Sequence, residues 1–223
     1  MIVTIGQPGL FPWWGSFAKF AAADAVVHLD HVSWQKGGYL NRFSLEAAGD
    51  RRWATIPLDG ARLGAPISEI RTALPTTVLR PHLARLSALD EAPHVRDAAG
   101  LLEQVYSAAT TDAAATAIAS TDAASAYLGI TTPTARSSSY PTDLSSTPML
   151  LHLLQRLGAT GYLFGAGRAG LANHYLDVAL LKSAGLRVGV ARYGPAPRVS
   201  ILQRVAALGG DAMRGVGMEV EWL

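Results

Sequence analysis

Polar side chains able to do acid–base chemistry gather near the N-terminus, in the stretch from Asp30 to Arg42. Asp30 and His31 supply a carboxylate and an imidazole, two groups that enzymes commonly use to move protons. Adjacent residues on a strand point to opposite faces, so we do not expect these two side chains to pair directly. Each is a candidate general base, and a solvated strand end is the alternative interpretation.

Asn41 and Arg42 place two strongly polar groups in an otherwise apolar predicted strand. The planar guanidinium of an arginine suits the recognition of a carboxylate or a phosphate. We therefore predict that Asn41 and Arg42 bind the substrate. A structural ion pair of Arg42 with Asp24 or Asp30 remains the alternative.

Other residues are candidate substrate contacts. The serine run around Ser138 lacks the G-x-S-x-G elbow of a nucleophilic serine, but its hydroxyl groups could hold a phosphate or carboxylate. His174 and Tyr175 follow a glycine-rich turn at the start of a predicted helix. The remaining predicted contacts are Trp14 and Lys36.

The spacing Gly165-x-Gly167-x-x-Gly170 matches the dinucleotide-binding fingerprint and follows a predicted strand. The fingerprint also needs an acidic residue at the end of the next strand, where Arg192 and Tyr193 stand. We therefore expect no bound cofactor, and both a substrate-binding turn and a plain loop remain open. The absence of Cys and of any HExxH pattern leads us to expect no metal site.

The composition indicates a globular chain with a substantial core, because 49% of its 223 residues are hydrophobic and only 16% are charged. We expect one domain over residues 1–223, with a helical subregion at 80–130. The net charge of +2 does not favour nucleic-acid binding. No uncharged apolar run approaches the length of a membrane span, so no membrane partner is expected. The absence of Cys and of a secretory pattern favours the cytoplasm.

The apolar periodicity predicts an α/β fold with a mixed, partly parallel, Rossmann-like sheet flanked by helices. Strands are predicted at 1–5, 25–29, 161–164 and 186–191, with an inserted β-hairpin at 39–45 and 53–58. Helices are predicted from Trp14 and Thr147, and at 80–89, 98–128, 174–184 and 200–208. The middle segment is Ala-rich and predicted to be helical, with a mobile lid over 107–126 as the alternative.

Three motifs stand in order along the first quarter of the chain. They are Q-P-G-L-F-P-W-W-G-S-F from Gln7, A-D-A-V-V-H-L-D-H-V-S-W-Q-K-G-G-Y-L-N-R from Ala23, and W-A-T-I-P-L from Trp53. In this order they resemble the WbqC-like protein family. The matching positions are Gln7, Pro8, Phe11, Pro12, Gly15, Asp24, Asp30, Val32, Asn41, Arg42 and Pro57. His31 departs from the family, which often has a second acidic residue there, and this weakens any metal site built on paired carboxylates.

The resemblance implies a bacterial biosynthetic transferase for surface polysaccharides or natural products. It suggests acyl or aminoacyl transfer, of a glycyl-like group, from an activated donor to an amine or hydroxyl of a small molecule. A carrier protein bearing an acyl thioester is the expected donor partner. In such a mechanism Asp30 or His31 would take a proton, Asn41 or Arg42 would hold an anionic or carbonyl group, and Gln7 would donate to the oxyanion.

Two other functions remain open at this stage. The strand–turn–helix start also resembles nucleotidylyltransferase-type folds, but the H-x-G-H turn of those enzymes is absent from residues 12–16. This alternative is a nucleotide-binding enzyme with a degenerate form of that fold. The other is a non-catalytic module that binds a carrier protein or a glycan, with Trp13, Trp14 and Trp34 as its contact surface or as ordinary core residues.

Overall fold

The computed structural model describes residues 1–47, 49–89, 91–166, 176–195 and 197–223. The strands are β1 (Ile2–Gly6), β2 (Ala25–His28), β3 (Arg42–Ala47), β4 (Asp50–Thr55), β5 (Leu58–Asp59), β6 (Arg71–Thr72), β7 (Thr134–Arg136), β8 (Gly161–Gly165), β9 (Arg187–Tyr193) and β10 (Met218–Trp222). The helices are α1 (Trp14–Ala21), α2 (Leu79–Ser87), α3 (Val95–Ala108), α4 (Ala113–Tyr127), α5 (Ser146–Arg156), α6 (Val178–Ser183) and α7 (Ile201–Leu208).

Six strands form the central sheet in the spatial order β10-β9-β8-β1-β2-β7. All neighbours pair in parallel except the edge strand β10, which is antiparallel to β9. The predicted mixed, partly parallel, Rossmann-like sheet flanked by helices is therefore confirmed. The sequence pattern did not predict strands β7 and β10. The short segment β7 is a strand because it pairs with β2.

The chain changes direction within the sheet between β1 and β8. It runs from β1 outward through β2 to β7, then returns to the other side of β1 and continues through β8, β9 and β10. Open α/β sheets bind ligands in the crevice beyond the carboxyl ends of their strands at such a point. The topology therefore directs attention to the segments that follow β1 and β8.

Three hydrophobic clusters hold these elements in place. One lies between the sheet and helices α5 and α6, where Val3, Val27 and Leu153 are fully buried. A second joins α1, the β3–β4 hairpin, α3 and α7. The third contains Trp34 and the start of α4.

The predicted β-hairpin is confirmed as the antiparallel pair β3–β4. Its turn contains Gly49 at φ +82°, a left-handed conformation that glycine adopts without a steric penalty. A single 3₁₀ turn over Ile67–Glu69 follows the hairpin region.

The Ala-rich middle segment forms two helices, α3 and α4. Ala113, Ala117 and Ala124 of α4 are buried among the core clusters, so the segment packs as part of the core and not as a lid. Small side chains allow a helix to approach its neighbours closely.

No helix in the described ranges combines the length and the apolarity that crossing a bilayer requires.

The turn between β1 and α1 is held from both sides at Phe11. Its backbone has φ +40°, a strained value for a residue with a side chain. The Phe11 N–H donates to Ser120 Oγ of α4 at 2.8 Å, and Ser200 Oγ donates to the Phe11 carbonyl at 2.9 Å. These two buried bonds fix where α1 begins and which of its residues face the end of the sheet.

Candidate functional site

A cavity of about 810 Å³ lies beyond the carboxyl ends of β1, β2, β8 and β9, where the sheet changes direction. This volume suits a small-molecule ligand. Its apolar wall includes Trp13, Leu29, Met149, Tyr162 and Phe164. Its polar lining includes Gln7, Ser16, Lys19, His31, Ser33, Gln35, Thr142, Ser145 and Ser146.

His31 lines this cavity, and a chain of hydrogen bonds through Ser137 connects its ring to Asp30. Its Nδ1 lies 2.6 Å from Ser137 Oγ, which donates to Asp30 Oδ1 at 3.0 Å and accepts from the Asp30 N–H at 2.9 Å. A hydroxyl group has one proton to donate and two lone pairs. Because Ser137 gives its proton to the carboxylate, His31 Nδ1 must carry a proton and donate it to Ser137.

This arrangement selects the tautomer of His31 in which Nε2 carries the lone pair. In this tautomer Nε2 makes no hydrogen bond to the Met149 sulfur 3.1 Å away, because a thioether sulfur can only accept; a proton taken up by Nε2 would be donated to that sulfur. His31 lines the cavity, and Nε2 is the ring nitrogen that Ser137 leaves available to accept a proton. A histidine whose second nitrogen is held by a hydrogen bond has the usual arrangement of a general base.

Asp30 itself is fully buried and does not line the cavity. Its carboxylate accepts four hydrogen bonds: from Arg136 Nε at 2.6 Å, Ser137 Oγ at 3.0 Å, and the Ser138 N–H and Oγ at 2.8 Å each. Burial acts to raise the pKa of Asp30, but the hydrogen bonds from Arg136, Ser138 and Ser137 outweigh it, and the pKa lies below its ordinary value. With its lone pairs occupied, Asp30 is placed to orient its neighbours.

Gln7 lies immediately after β1, at the mouth of the cavity. Its side chain is exposed and makes no hydrogen bond within the described part of the chain. The amide is therefore free to donate to a ligand, and the predicted oxyanion role of Gln7 stays a prediction.

One face of α1 borders the cavity through Trp13, Ser16 and Lys19, at successive three-residue steps. The Trp13 ring lies over Gly15, where an added Cβ would come within 2.3 Å of it. The ring also packs edge-to-face against Tyr193, with centroids 4.7 Å apart. Gly15 therefore positions the aromatic wall of the cavity.

The structure places Asn41 and Arg42 away from this cavity. Asn41 Nδ2 donates to the Ile56 carbonyl at 2.7 Å, and Arg42 Nε donates to the Gly38 carbonyl at 3.0 Å. The Arg42 guanidinium also stacks on Trp53 at 4.2 Å. Both side chains bind the backbone of the loop and hairpin beside them, and the ion pair of Arg42 with Asp24 or Asp30 is not formed.

Trp14, Lys36 and Ser138 also lie outside the cavity lining. Trp14 is fully buried in the core, and its Nε1 donates to the Pro197 carbonyl at 3.1 Å. Lys36 is exposed, and Ser138 bonds to Asp30. The described residues do not include His174, Tyr175 or most of the glycine-rich turn. The predicted roles of His174 and Tyr175 stay predictions.

The sequence prediction did not include several of the residues that line the cavity. Ser16 and Lys19 could have been found from their helical spacing directly after a strand and turn. Ser145 is the N-cap of α5 and Ser146 its first residue, with φ +53°, a strained value for a non-glycine residue beside the cavity.

The acidic and histidine side chains of the described residues form no cluster of three or more that could hold a metal ion. The lining given above contains no Asp or Glu among those residues. The donor set here is therefore made of hydroxyls, amides, one imidazole and one amine.

Comparisons with known proteins agree with this description at the level of the family. The family model described as "WbqC-like protein family" matches residues 7–201. An uncharacterized protein of Mycobacterium tuberculosis H37Rv, Rv1507c, is 27% identical over 225 residues, covering 94% of this chain and 95% of that protein. No solved structure matches the chain. From residue 7 to residue 201, the chain belongs to the WbqC-like protein family.

Proposed function

We propose that this protein transfers an acyl or aminoacyl group from an activated donor to an amine or hydroxyl of a small molecule. The observation that carries the proposal is His31, which lines a cavity of about 810 Å³ while its Nδ1 is held by Ser137, itself bonded to Asp30. A histidine oriented in this way removes the proton of an attacking amine or hydroxyl group.

The proposed step uses a thioester donor, such as one carried on a carrier protein. The acceptor nitrogen or oxygen attacks the carbonyl carbon, and His31 Nε2 takes the proton of the acceptor. The carbonyl oxygen becomes an oxyanion, to which the free amide of Gln7 donates. When the carbonyl re-forms, the C–S bond breaks, and the proton passes from His31 to the departing thiolate.

The test is intact-mass analysis of reactions that offer glycyl and other aminoacyl thioesters with amine and sugar-nucleotide acceptors. His31→Ala should lower the rate of acyl transfer on the order of 100- to 10,000-fold, the usual contribution of a general base. His152→Ala is the matched control, because His152 lies on α5 outside the cavity lining. Equal transfer by wild type and His31→Ala would remove His31 from the mechanism, and no transfer by folded wild type with any donor would overturn the proposal.

A nucleotide-binding function is a second candidate, which the strand order favours. Starting at β7, the sheet order has the arrangement of a doubly wound dinucleotide-binding fold, and the cavity lies at its switch point. Calorimetric titration with ATP, CTP and UTP tests this candidate. Saturable binding of a nucleotide together with the absence of acyl transfer would favour it over the transferase.

A non-catalytic glycan-binding surface has less support from the aromatic residues. Of the three tryptophans proposed for it, only Trp13 lines the cavity, while Trp14 and Trp34 belong to the buried core.

A further inference from the structure

Lys19 is a cation on the cavity wall with no partner. It lies in the last turn of α1, and its side chain makes no hydrogen bond or ion pair with any residue in the described ranges. The chain contains three lysines, and the other two, Lys36 and Lys182, are exposed to solvent away from this cavity.

The environment of Lys19 lacks a compensating negative charge. Among the lining residues that the structure describes, Lys19 and His31 are the only side chains that can carry a positive charge, and none is an Asp or Glu. Burial lowers the pKa of its ammonium group to about 8. An ammonium group that loses water and gains no anion is unfavourable, so a ligand that brings a negative charge is favoured at this position.

We propose that Lys19 binds a phosphate group of the substrate, an inference that names the substrate class for the proposed transferase and rests on that function. Planar carboxylates are best matched by the fork of an arginine, whereas a lysine binds phosphate as a point charge. The cavity also offers separate single donors in Ser16, Ser145 and Ser146. A phosphate has several oxygen atoms pointing in different directions and can accept from such a set.

Two substrates of the proposed reaction would bring such a phosphate. A donor attached to a carrier protein has a 4′-phosphopantetheine arm, and a sugar-nucleotide acceptor has a diphosphate. The shared chemistry is the phosphate, and the experiment separates the two sources.

The experiment measures how fast each lysine is methylated by formaldehyde and cyanoborohydride, with peptide mass spectrometry as the readout. The probes are 4′-phosphopantetheine and UDP-N-acetylglucosamine, each beside its neutral partner, pantetheine and N-acetylglucosamine. We expect at least one phosphate-bearing probe to slow labelling of Lys19 by about tenfold or more, and its neutral partner to have little effect. Lys182, which is exposed and outside the cavity lining, is the internal control whose labelling should not change.

A second measurement uses Lys19→Met, which keeps the apolar stem of the side chain and removes the charge. Its affinity for the protecting probe should fall by about tenfold or more, while Lys182→Met should bind as wild type does. Protection by phosphopantetheine alone assigns the phosphate to the donor, and protection by the sugar nucleotide alone assigns it to the acceptor. Failure of both phosphate probes to protect Lys19, equal protection by the neutral partners, or unchanged affinity in Lys19→Met would overturn the proposal.

These outcomes are independent of turnover. Protection of Lys19 without any acyl transfer would preserve the phosphate site and refute the transferase. Acyl transfer with the same KM in Lys19→Met and wild type would preserve the transferase and refute the phosphate site.

Discussion

Two groups of polar side chains near the carboxyl ends of the strands differ in how their hydrogen bonds are satisfied. In one group, which we call the closed set, the Asp30 carboxylate accepts hydrogen bonds from Arg136, Ser137 and Ser138. Gln7 and Lys19 line the cavity and have no such partner in the described part of the chain. His31 connects the two groups, because its Nδ1 contacts Ser137 of the closed set and the residue also lines the cavity.

The comparison separates residues that shape a site from residues that are available to a ligand. A buried charge is tolerated when its hydrogen bonds are complete, and Asp30 meets that condition with four bonds to its carboxylate. A polar group that remains unsatisfied beside a cavity gains a partner when a ligand binds. Residue type alone does not distinguish the two groups, since each contains a charged residue.

The largest expected effect on stability comes from breaking the closed set at Asp30. Asp30→Asn leaves Arg136 without its anion and should lower the free energy of unfolding by about 3 kcal/mol. Urea unfolding measures this change, and Asp143→Asn, at an exposed position, is the control. If Asp30→Asn were as stable as wild type, the closed set would not be a structural element.

A pH series tests His28, which is buried as Asp30 is but has a ring nitrogen without a hydrogen-bond partner in the described ranges. His28 is 3% exposed, its Nε2 has no partner in the described ranges, and burial lowers its pKa to about 4. The unfolded chain binds this proton at about pH 6.5, earlier than the folded chain does. The folded state therefore loses stability as the pH falls from about 6.5 to 4, by about 1.4 kcal/mol per pH unit for this one group.

Urea unfolding between pH 4.5 and 7.5 checks this dependence. We expect the slope below pH 6.5 to be shallower in His28→Gln than in wild type, and unchanged in His152→Gln. An identical slope in His28→Gln and wild type would show that His28 is not the source of the acid sensitivity.

The pair Ser137→Ala and Ser138→Ala separates the hydrogen bond to His31 from the rest of the closed set. Each change removes one hydroxyl bond to Asp30, but only Ser137 contacts His31. We expect kcat for acyl transfer to fall by about tenfold in Ser137→Ala, with a changed pH profile, because Nδ1 loses the acceptor that fixes its tautomer. Ser138→Ala should keep the wild-type profile, and equal losses in both variants would reduce the hydrogen bond between His31 and Ser137 to a purely structural role.

The smallest expected effect concerns the aromatic wall of the cavity. Gly15→Ala places a methyl group where the Trp13 ring lies, so the ring must move, and the affinity for whichever probe binds the cavity should fall a few-fold. Gly100→Ala in α3 has open space around the new methyl group and should raise stability by about 0.5–1 kcal/mol. Unchanged probe affinity and tryptophan fluorescence in Gly15→Ala would contradict the assigned position of Trp13.

The sequence was a good guide to the interior elements and a weaker guide to the sheet edges. The apolar runs of β1, β2, β8 and β9 are buried between helices, and such strands are visible as continuous hydrophobic segments. Strand β7 has three residues, and β10 is largely exposed, so neither carries a hydrophobic signal that sequence alone could interpret. The hairpin was found because its turn contains a glycine between two strand-like segments.

By itself, the sequence determined the α/β class, the first βαβ unit and the cluster of candidate residues that contains His31 and Gln7. Only the tertiary structure decided which of these candidates meet at the cavity. Ser137 lies 106 residues from His31, and their contact depends on the parallel pairing of β2 with β7. The choice of Trp13 over Trp14 depends on the rotation of α1, which Ser120 and Ser200 fix through Phe11. These contacts join distant parts of the chain, and local patterns of residue type contain no information about which distant groups will satisfy one another's hydrogen bonds.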